Sequence, residues 1–91
     1  MTAPAILVVG AGDATGGAIA RRFAREGFTA CVTRRTEDAL TPLVGRIREE
    51  GGQARGFGCD ARDEDQMQAL VDTIEAEVGP LEVVVFNIGA N

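Results

Sequence analysis

The sequence predicts an α/β fold built on a parallel, doubly wound sheet. Three observations carry that expectation. Four short apolar runs alternate with three stretches of helical periodicity, in the order β-α-β-α-β-α-β. The stretches between the runs are long enough for the right-handed helical crossovers that parallel strands need. The first apolar run opens directly into a glycine-rich turn and then a helix.

The first run, Ala5-Ile6-Leu7-Val8-Val9, is apolar throughout, as a strand buried on both faces should be. It ends in Gly10-Ala11-Gly12-Asp13. A helix is predicted from Thr15 to Glu26, with Ile19 and Phe23, and Ala20 and Ala24, at i, i+4 spacing on one face and Gly27 as its C-cap. Residues 28–33 read as the second strand. From Glu37 to Glu50, Leu40, Leu43, Val44 and Ile47 follow the helical period, with Thr36 as N-cap. Pro42 conflicts with one continuous helix, because proline has no N–H to donate and its ring clashes with the preceding turn. The alternative is a short turn followed by a helix with Thr41 as N-cap and Pro42 at its first position. Gly51-Gly52 closes either version, and residues 53–59 form a third strand diluted by Gly56 and Gly58.

Asp63 and Gln66 have the spacing of a capping box. The helix after them carries Met67, Leu70, Val71, Ile74 and Val78 on one face and stops at Gly79-Pro80. The fourth strand spans 81–86, and its last four residues, Val83 to Phe86, are apolar, so both faces expect cover. No covering helix follows in the sequence, and the expectation is that these 91 residues are the front half of a longer doubly wound domain. No internal repeat, linker or low-complexity segment is visible.

Composition narrows the chemistry. A chain of 91 residues holds one small domain, and 45% apolar with 25% charged residues is an ordinary globular balance that argues against disorder. The chain has no His, Lys, Ser, Tyr or Trp. That excludes a Ser-His triad, a Schiff-base lysine, a Walker lysine and a histidine zinc site within these residues. The net charge of −5 is divided unevenly: residues 1–48 carry seven Arg against four acids, residues 49–91 two Arg against ten acids. The acidic total argues against nucleic-acid binding, while the basic first half suits a small polyanion. No apolar run approaches membrane-spanning length, and Met1-Thr2-Ala3-Pro4 lacks the basic region of a signal peptide. Cys31 and Cys59 have no CxxC spacing and read as small buried residues in a reducing compartment, so a cytoplasmic location is expected.

The cluster Gly10-Ala11-Gly12-Asp13-Ala14-Thr15-Gly16-Gly17 lies between a strand and a helix, the context of a dinucleotide site. Bare backbone admits a pyrophosphate, and the helix N-terminus offers unpaired N–H groups and a positive dipole end. A strict G-x-G-x-x-G is absent, because Thr15 stands at the third glycine. The alternative is a turn that only packs helix on strand. At the end of the second strand stand Arg34 and Arg35, with no acid before Glu37. Enzymes that use NAD place an acid here for the ribose hydroxyls, whereas arginine suits the 2′-phosphate of NADP. NADP is therefore expected over NAD. A solvated basic pair is the alternative, although a helix start is electrostatically poor for cations.

Taken together, these segments resemble the N-terminal half of a short-chain dehydrogenase/reductase. That family's pattern after the first strand is T-G-x-x-x-G-x-G. Residues 9–16 lie on it, with Val9 in place of Thr and Ala14 in place of the middle Gly. Cys59-Asp60-Ala61-Arg62-Asp63 is similar to the segment after the family's third strand, and Phe86-Asn87-Ile88-Gly89 to its N-N-A-G, matching at Asn87 and Gly89. The resemblance implies a Rossmann-type sheet in the order 3-2-1-4 and one NAD(P)-binding domain of which residues 1–91 are the N-terminal half. It implies a pyrophosphate turn formed by Gly10, Gly12, Asp13, Ala14, Thr15 and Gly16, and a 2′-phosphate site at Arg34 and Arg35. It further implies that Asp60 meets the adenine amino group and that Asn87 with Gly89 meets the adenosine-side ribose. Read from the residues alone, Asp60 and Asn87 can equally be turn formers.

The departures mark a divergent branch. Asp13 stands where NADP-using members often have a basic residue, Ala14 narrows the loop by a methyl, and Phe86 replaces a polar residue. The family's catalytic Tyr, Lys and Ser lie beyond the fourth strand, so no catalytic residue and no metal ligand is expected here. The implied activity of the longer protein is NADP(H)-dependent oxidation or reduction of an alcohol or carbonyl. The implied partners are the nicotinamide dinucleotide, the small substrate and further copies of the longer chain in a homo-oligomer, with neither nucleic acid nor membrane. Two rivals stay open: a non-catalytic NADP-binding sensor of the same fold, and a methyltransferase-type fold, which usually wants an acid where Arg34 stands.

Overall fold

The most apolar run takes the centre of the sheet. In the computed structural model, which describes residues 3–11 and 14–87, β1 (Ala5–Val9) is buried along its whole length. It pairs in parallel with β2 (Thr29–Arg34) on one side and β4 (Leu81–Phe86) on the other, and β3 (Gln53–Gly58) lies beyond β2. The order is β3-β2-β1-β4, as expected.

Alternation along β1 supplies both layers. Ile6 and Val8 pack with Ala20 and Ala24 of α1 (Ala14–Arg25) and with Ile47 of α2 (Thr41–Glu49). Ala5, Leu7 and Val9 pack with Cys31, Cys59, and Leu70 and Ile74 of α3 (Glu64–Glu77). Helices thus cover both faces of a Rossmann-type sheet. Complete burial of an Ile or Leu stabilises by ~1.5–3 kcal/mol, so β1 is the strand whose polar substitution costs most.

The end of α1 follows from one glycine. Gly27 has φ +97, a left-handed conformation that glycine adopts without Cβ strain. It lets Phe28 N–H reach the Phe23 carbonyl at 3.1 Å and Gly27 N–H the Ala24 carbonyl at 3.2 Å, a Schellman closure. The rings of Phe23 and Phe28 then meet edge to face at 5.3 Å.

The stretch from Glu37 to Glu50 is not one helix. A 3-10 turn at Glu37–Leu40 precedes α2, and Pro42 sits in the first turn of α2, where its missing N–H costs no helical bond. Neither expected cap is realised: Thr36 makes no side-chain capping bond, and Thr41 is itself helical, with Leu40 at the cap position. Gly56 in β3 leaves room for this turn, since a Cβ there would lie 3.3 Å from Leu40 Cβ.

β4 spans the expected residues at the edge of the sheet but is irregular. Its register against β1 shifts between Ala5 and Ile6, which pair with Leu81 and Val83, so Glu82 is skipped. Beyond the shift Val83 and Val85 pack toward α1, while Val84 and Phe86 point to the other face and are 44% and 62% exposed. One face is covered and one is not.

Candidate cofactor-binding site

All strand carboxyl ends lie along one edge of a parallel sheet. The strand order reverses between β1 and β4, and such a switch point is where doubly wound sheets bind ligands. Four segments arrive there: Gly10-Ala11 after β1, Arg34-Arg35 at the end of β2, Cys59-Asp60 after β3, and Asn87 after β4.

The turn after β1 is held from both sides. Gly10 has φ +84, and the N–H groups of Gly10 and Ala11 both donate to the Thr33 carbonyl, at 2.9 and 3.1 Å. From β4, Asn87 N–H donates to the Val9 carbonyl at 2.8 Å, and Asn87 Nδ2 donates to the Gly10 carbonyl at 3.1 Å. Asn87 therefore ties the ends of β1 and β4 together. Gly16 faces this knot. A Cβ on it would lie 2.6 Å from the Gly10 carbonyl oxygen, 2.8 Å from Ala11 Cα and 3.0 Å from Asn87 Nδ2. Before any ligand arrives, close approach of α1 to the β1 turn already requires a glycine here. Ala14 and Thr15 are exposed in the first turn of α1. Gly12, Asp13 and Gly89 lie outside the described residues.

The side chains of Arg34 and Arg35 are exposed, and among the described residues neither guanidinium has an ion-pair or hydrogen-bond partner. Glu37 is turned away from them: its Oε1 accepts the Gly58 N–H at 3.2 Å and pins the 3-10 turn to the end of β3. The Arg34 carbonyl accepts the Cys59 N–H at 3.0 Å, which places the ends of β2 and β3 side by side.

Asp60 follows immediately. Its Oδ1 accepts from Arg62 N–H at 3.0 Å and from Arg62 Nε at 3.3 Å, and its Oδ2 accepts from Arg62 Nη2 at 3.4 Å. The Asp60 N–H donates to Gln66 Oε1 at 2.9 Å. The hydrogen bonds from Arg62 hold the Asp60 carboxyl below its ordinary range, and the charges of Arg62 and Arg35 add to the effect. The capping pair of α3 is only partly reciprocal. Asp63 Oδ1 accepts from the N–H groups of Asp65 and Gln66, whereas Gln66 reaches back to Asp60 rather than to Asp63 N–H. Arg62 is the participant that the motif reading passed over; the Asp-x-Arg spacing just before a helix was its signal. Beneath it, burial and then the charges of Asp60 and Asp63 push the Cys59 thiol up. Among the described residues no His/Cys/Asp/Glu group suits a metal ion, and no helix is long and apolar enough to cross a membrane.

The comparisons agree with this geometry. The family model for short chain dehydrogenase matches residues 4–91. The short-chain reductase protein NovJ of Streptomyces niveus is 41% identical over 85 residues, covering 93% of this chain and 32% of the relative. A short-chain dehydrogenase structure from Rhodopseudomonas palustris has TM-score 0.91 and 44% identity, over 97% of this chain and 41% of that one. A metagenomic short-chain oxidoreductase solved in complex with NADP has TM-score 0.88 and 31% identity, over 97% of this chain and 39% of that one. The chain spans about a third of the length of the curated relatives it matches. With the family match running from before β1 to beyond β4 and the sheet order in agreement, the chain belongs to the short-chain dehydrogenase family of oxidoreductases.

Proposed function

We propose that this chain is the adenosine-diphosphate-binding half of a longer NADP(H)-dependent oxidoreductase acting on a carbonyl or alcohol. The observation that carries the reading is the exposed pair Arg34-Arg35 at the carboxyl edge, beside Asp60, with the nearest acid on its own segment, Glu37, engaged by Gly58 N–H. A 2′-phosphate set there meets two positive charges that form no ion pair with any carboxylate among the described residues. The residues present fit the cofactor. The N-terminus of α1, reached through Gly10, Gly12, Asp13, Ala14, Thr15 and Gly16, takes the pyrophosphate. Asp60 accepts from the adenine amino group, and Asn87 and Gly89 border the adenosine-side ribose.

When bound, the nicotinamide supplies or accepts a hydride. These residues bind and orient it. None of them is a Tyr, Lys or Ser, so the proton on the substrate oxygen is handled by other parts of the longer protein. A sensor role has less behind it, since the relatives carry the names of reductases and dehydrogenases.

Titration of NADPH and NADH into the protein and into the Arg34→Ala, Arg35→Ala double variant tests the cofactor choice. Charge-assisted bonds to phosphate contribute ~1.5–3 kcal/mol each, so the expected preference for NADPH is tenfold or more and is lost in the double variant. Equal affinities in the unsubstituted protein would overturn it.

A further inference from the structure

The Asp60 carboxylate is not an unconstrained acceptor. Of its roughly four lone-pair positions, Oδ1 uses two, on Arg62 N–H and Nε, and Oδ2 uses one, on Arg62 Nη2. One acceptor position remains, on Oδ2. The backbone beneath is equally constrained: Asp60 N–H is held by Gln66, whose Nε2 donates to Asp63 Oδ2 at 3.2 Å, and Asp63 N–H donates to the Asp60 carbonyl at 3.0 Å. The Arg62 side chain is 75% exposed, so among the described residues little besides Asp60 holds its guanidinium there.

We infer that Arg62 is a positioning residue for base selection, whose guanidinium turns the Asp60 carboxylate so that Oδ2 presents its remaining acceptor position to the 6-amino group of adenine. The inference rests on the assignment of Asp60 to adenine made above. An ionised carboxylate only accepts hydrogen bonds, so it favours a base with a donor at position 6 and repels one with an oxygen there. Without the guanidinium, Asp60 keeps the bond from Arg62 N–H but loses its second and third anchors. Its carboxylate is then able to rotate about χ2, and adenine must order it on binding.

The test compares NADPH with reduced nicotinamide hypoxanthine dinucleotide phosphate, which carries oxygen in place of the amino group. Dissociation constants for both are measured by cofactor fluorescence on the protein and on its Arg62→Ala, Arg62→Lys and Asp60→Asn variants. The protein should prefer the adenine cofactor. Arg62→Ala should reduce that preference by roughly two- to fivefold, the scale of an exposed ion pair. Arg62→Lys should restore part of it, and Asp60→Asn should reduce it further. The NADPH-over-NADH ratio, set by Arg34 and Arg35, should not change in Arg62→Ala. If Arg62→Ala weakens both cofactors equally, Arg62 contributes only general charge and the inference falls. If Arg62→Ala strengthens the preference, Arg62 competes with adenine for Asp60 and the inference is reversed. A protein that binds NADPH but does not discriminate the two bases loses the Asp60 assignment, and this inference with it, while the dinucleotide reading stands. One that binds neither cofactor loses that reading too.

Discussion

Gly16 and Gly17 are neighbours in one helix with opposite demands. A Cβ on Gly16 meets backbone atoms of Gly10 and Ala11 at 2.6 and 2.8 Å, and neither can yield without moving the β1 turn. A Cβ on Gly17 meets the flexible end of Leu43 at 3.4 Å, an ordinary contact. Gly16→Ala should therefore destabilise by ~1–3 kcal/mol through overpacking. Gly17→Ala should be neutral or stabilising by up to ~1 kcal/mol through helix propensity. Chemical denaturation of the two variants checks the contrast. In Gly16→Val a loss of cofactor binding should come with a loss of stability, because the larger side chain collides with the protein itself. Cys31 offers a second test at this scale. It is buried, and burial pushes its thiol up to about 11. The unfolded chain loses this proton at lower pH than the folded one, so stability is complete below the ordinary thiol range and falls as pH rises toward about 11. The limiting slope is about 1.4 kcal/mol per pH unit. Stability that stays flat on the alkaline side, or rapid thiol modification in the folded state, would contradict this.

At the scale of the element, α3 depends on its first turn. Asp63 accepts two helix N–H groups with one oxygen, and Gln66 holds Asp60 from the same turn. Asp63→Ala should cost ~0.5–2 kcal/mol, and Asp63→Asn, which keeps an acceptor, much less. Because the same turn orders Asp60, Asp63→Ala should also weaken NADPH binding. Thermal denaturation with and without NADPH separates the two effects. The start of α2 shows the converse. Pro42 ends one pattern and begins another, and the 3-10 turn it leaves behind is held by Leu40 in the core and by Glu37 on Gly58.

At the scale of the molecule, the sheet has one apolar strand with a bare side. β4 is an edge strand in this chain, and Val84 and Phe86 are exposed on one face. Such an edge pairs readily with another chain. The 91-residue chain should therefore self-associate and bind hydrophobic dye, and Val84→Thr with Phe86→Thr should reduce both. Sedimentation velocity and dye fluorescence decide this. A dye-negative monomer would show the edge to be protected. In the same preparations an NADPH-oxidation assay with carbonyl substrates should show no turnover, for want of Tyr, Lys and Ser.

The strand and helix alternation and the glycine turn were legible from local pattern, because continuous apolar runs and 3.6-residue periodicity report burial directly, whereas the sheet order was implied only by the family resemblance. The apolar run Ala5–Val9 became the central strand, and Arg34-Arg35 arrived at the carboxyl edge, as the pattern required. Three matters waited for tertiary structure. The bare backbone at Gly16 has two possible reasons, and only the approach of α1 to Gly10 and Ala11 shows that one of them is internal packing. The apolar run in β4 does not tell which side chains turn which way, and only the register shift beside Glu82 sets Val83 and Val85 against the core and leaves Val84 and Phe86 on the other face. The partner of Asp60 is two residues away in sequence, yet Arg62 matters only because the turn before α3 folds its guanidinium back on the carboxylate. Local pattern records which residues are buried and where elements begin. Which side chain meets which is decided by packing between segments distant in sequence, and a linear pattern does not contain those distances.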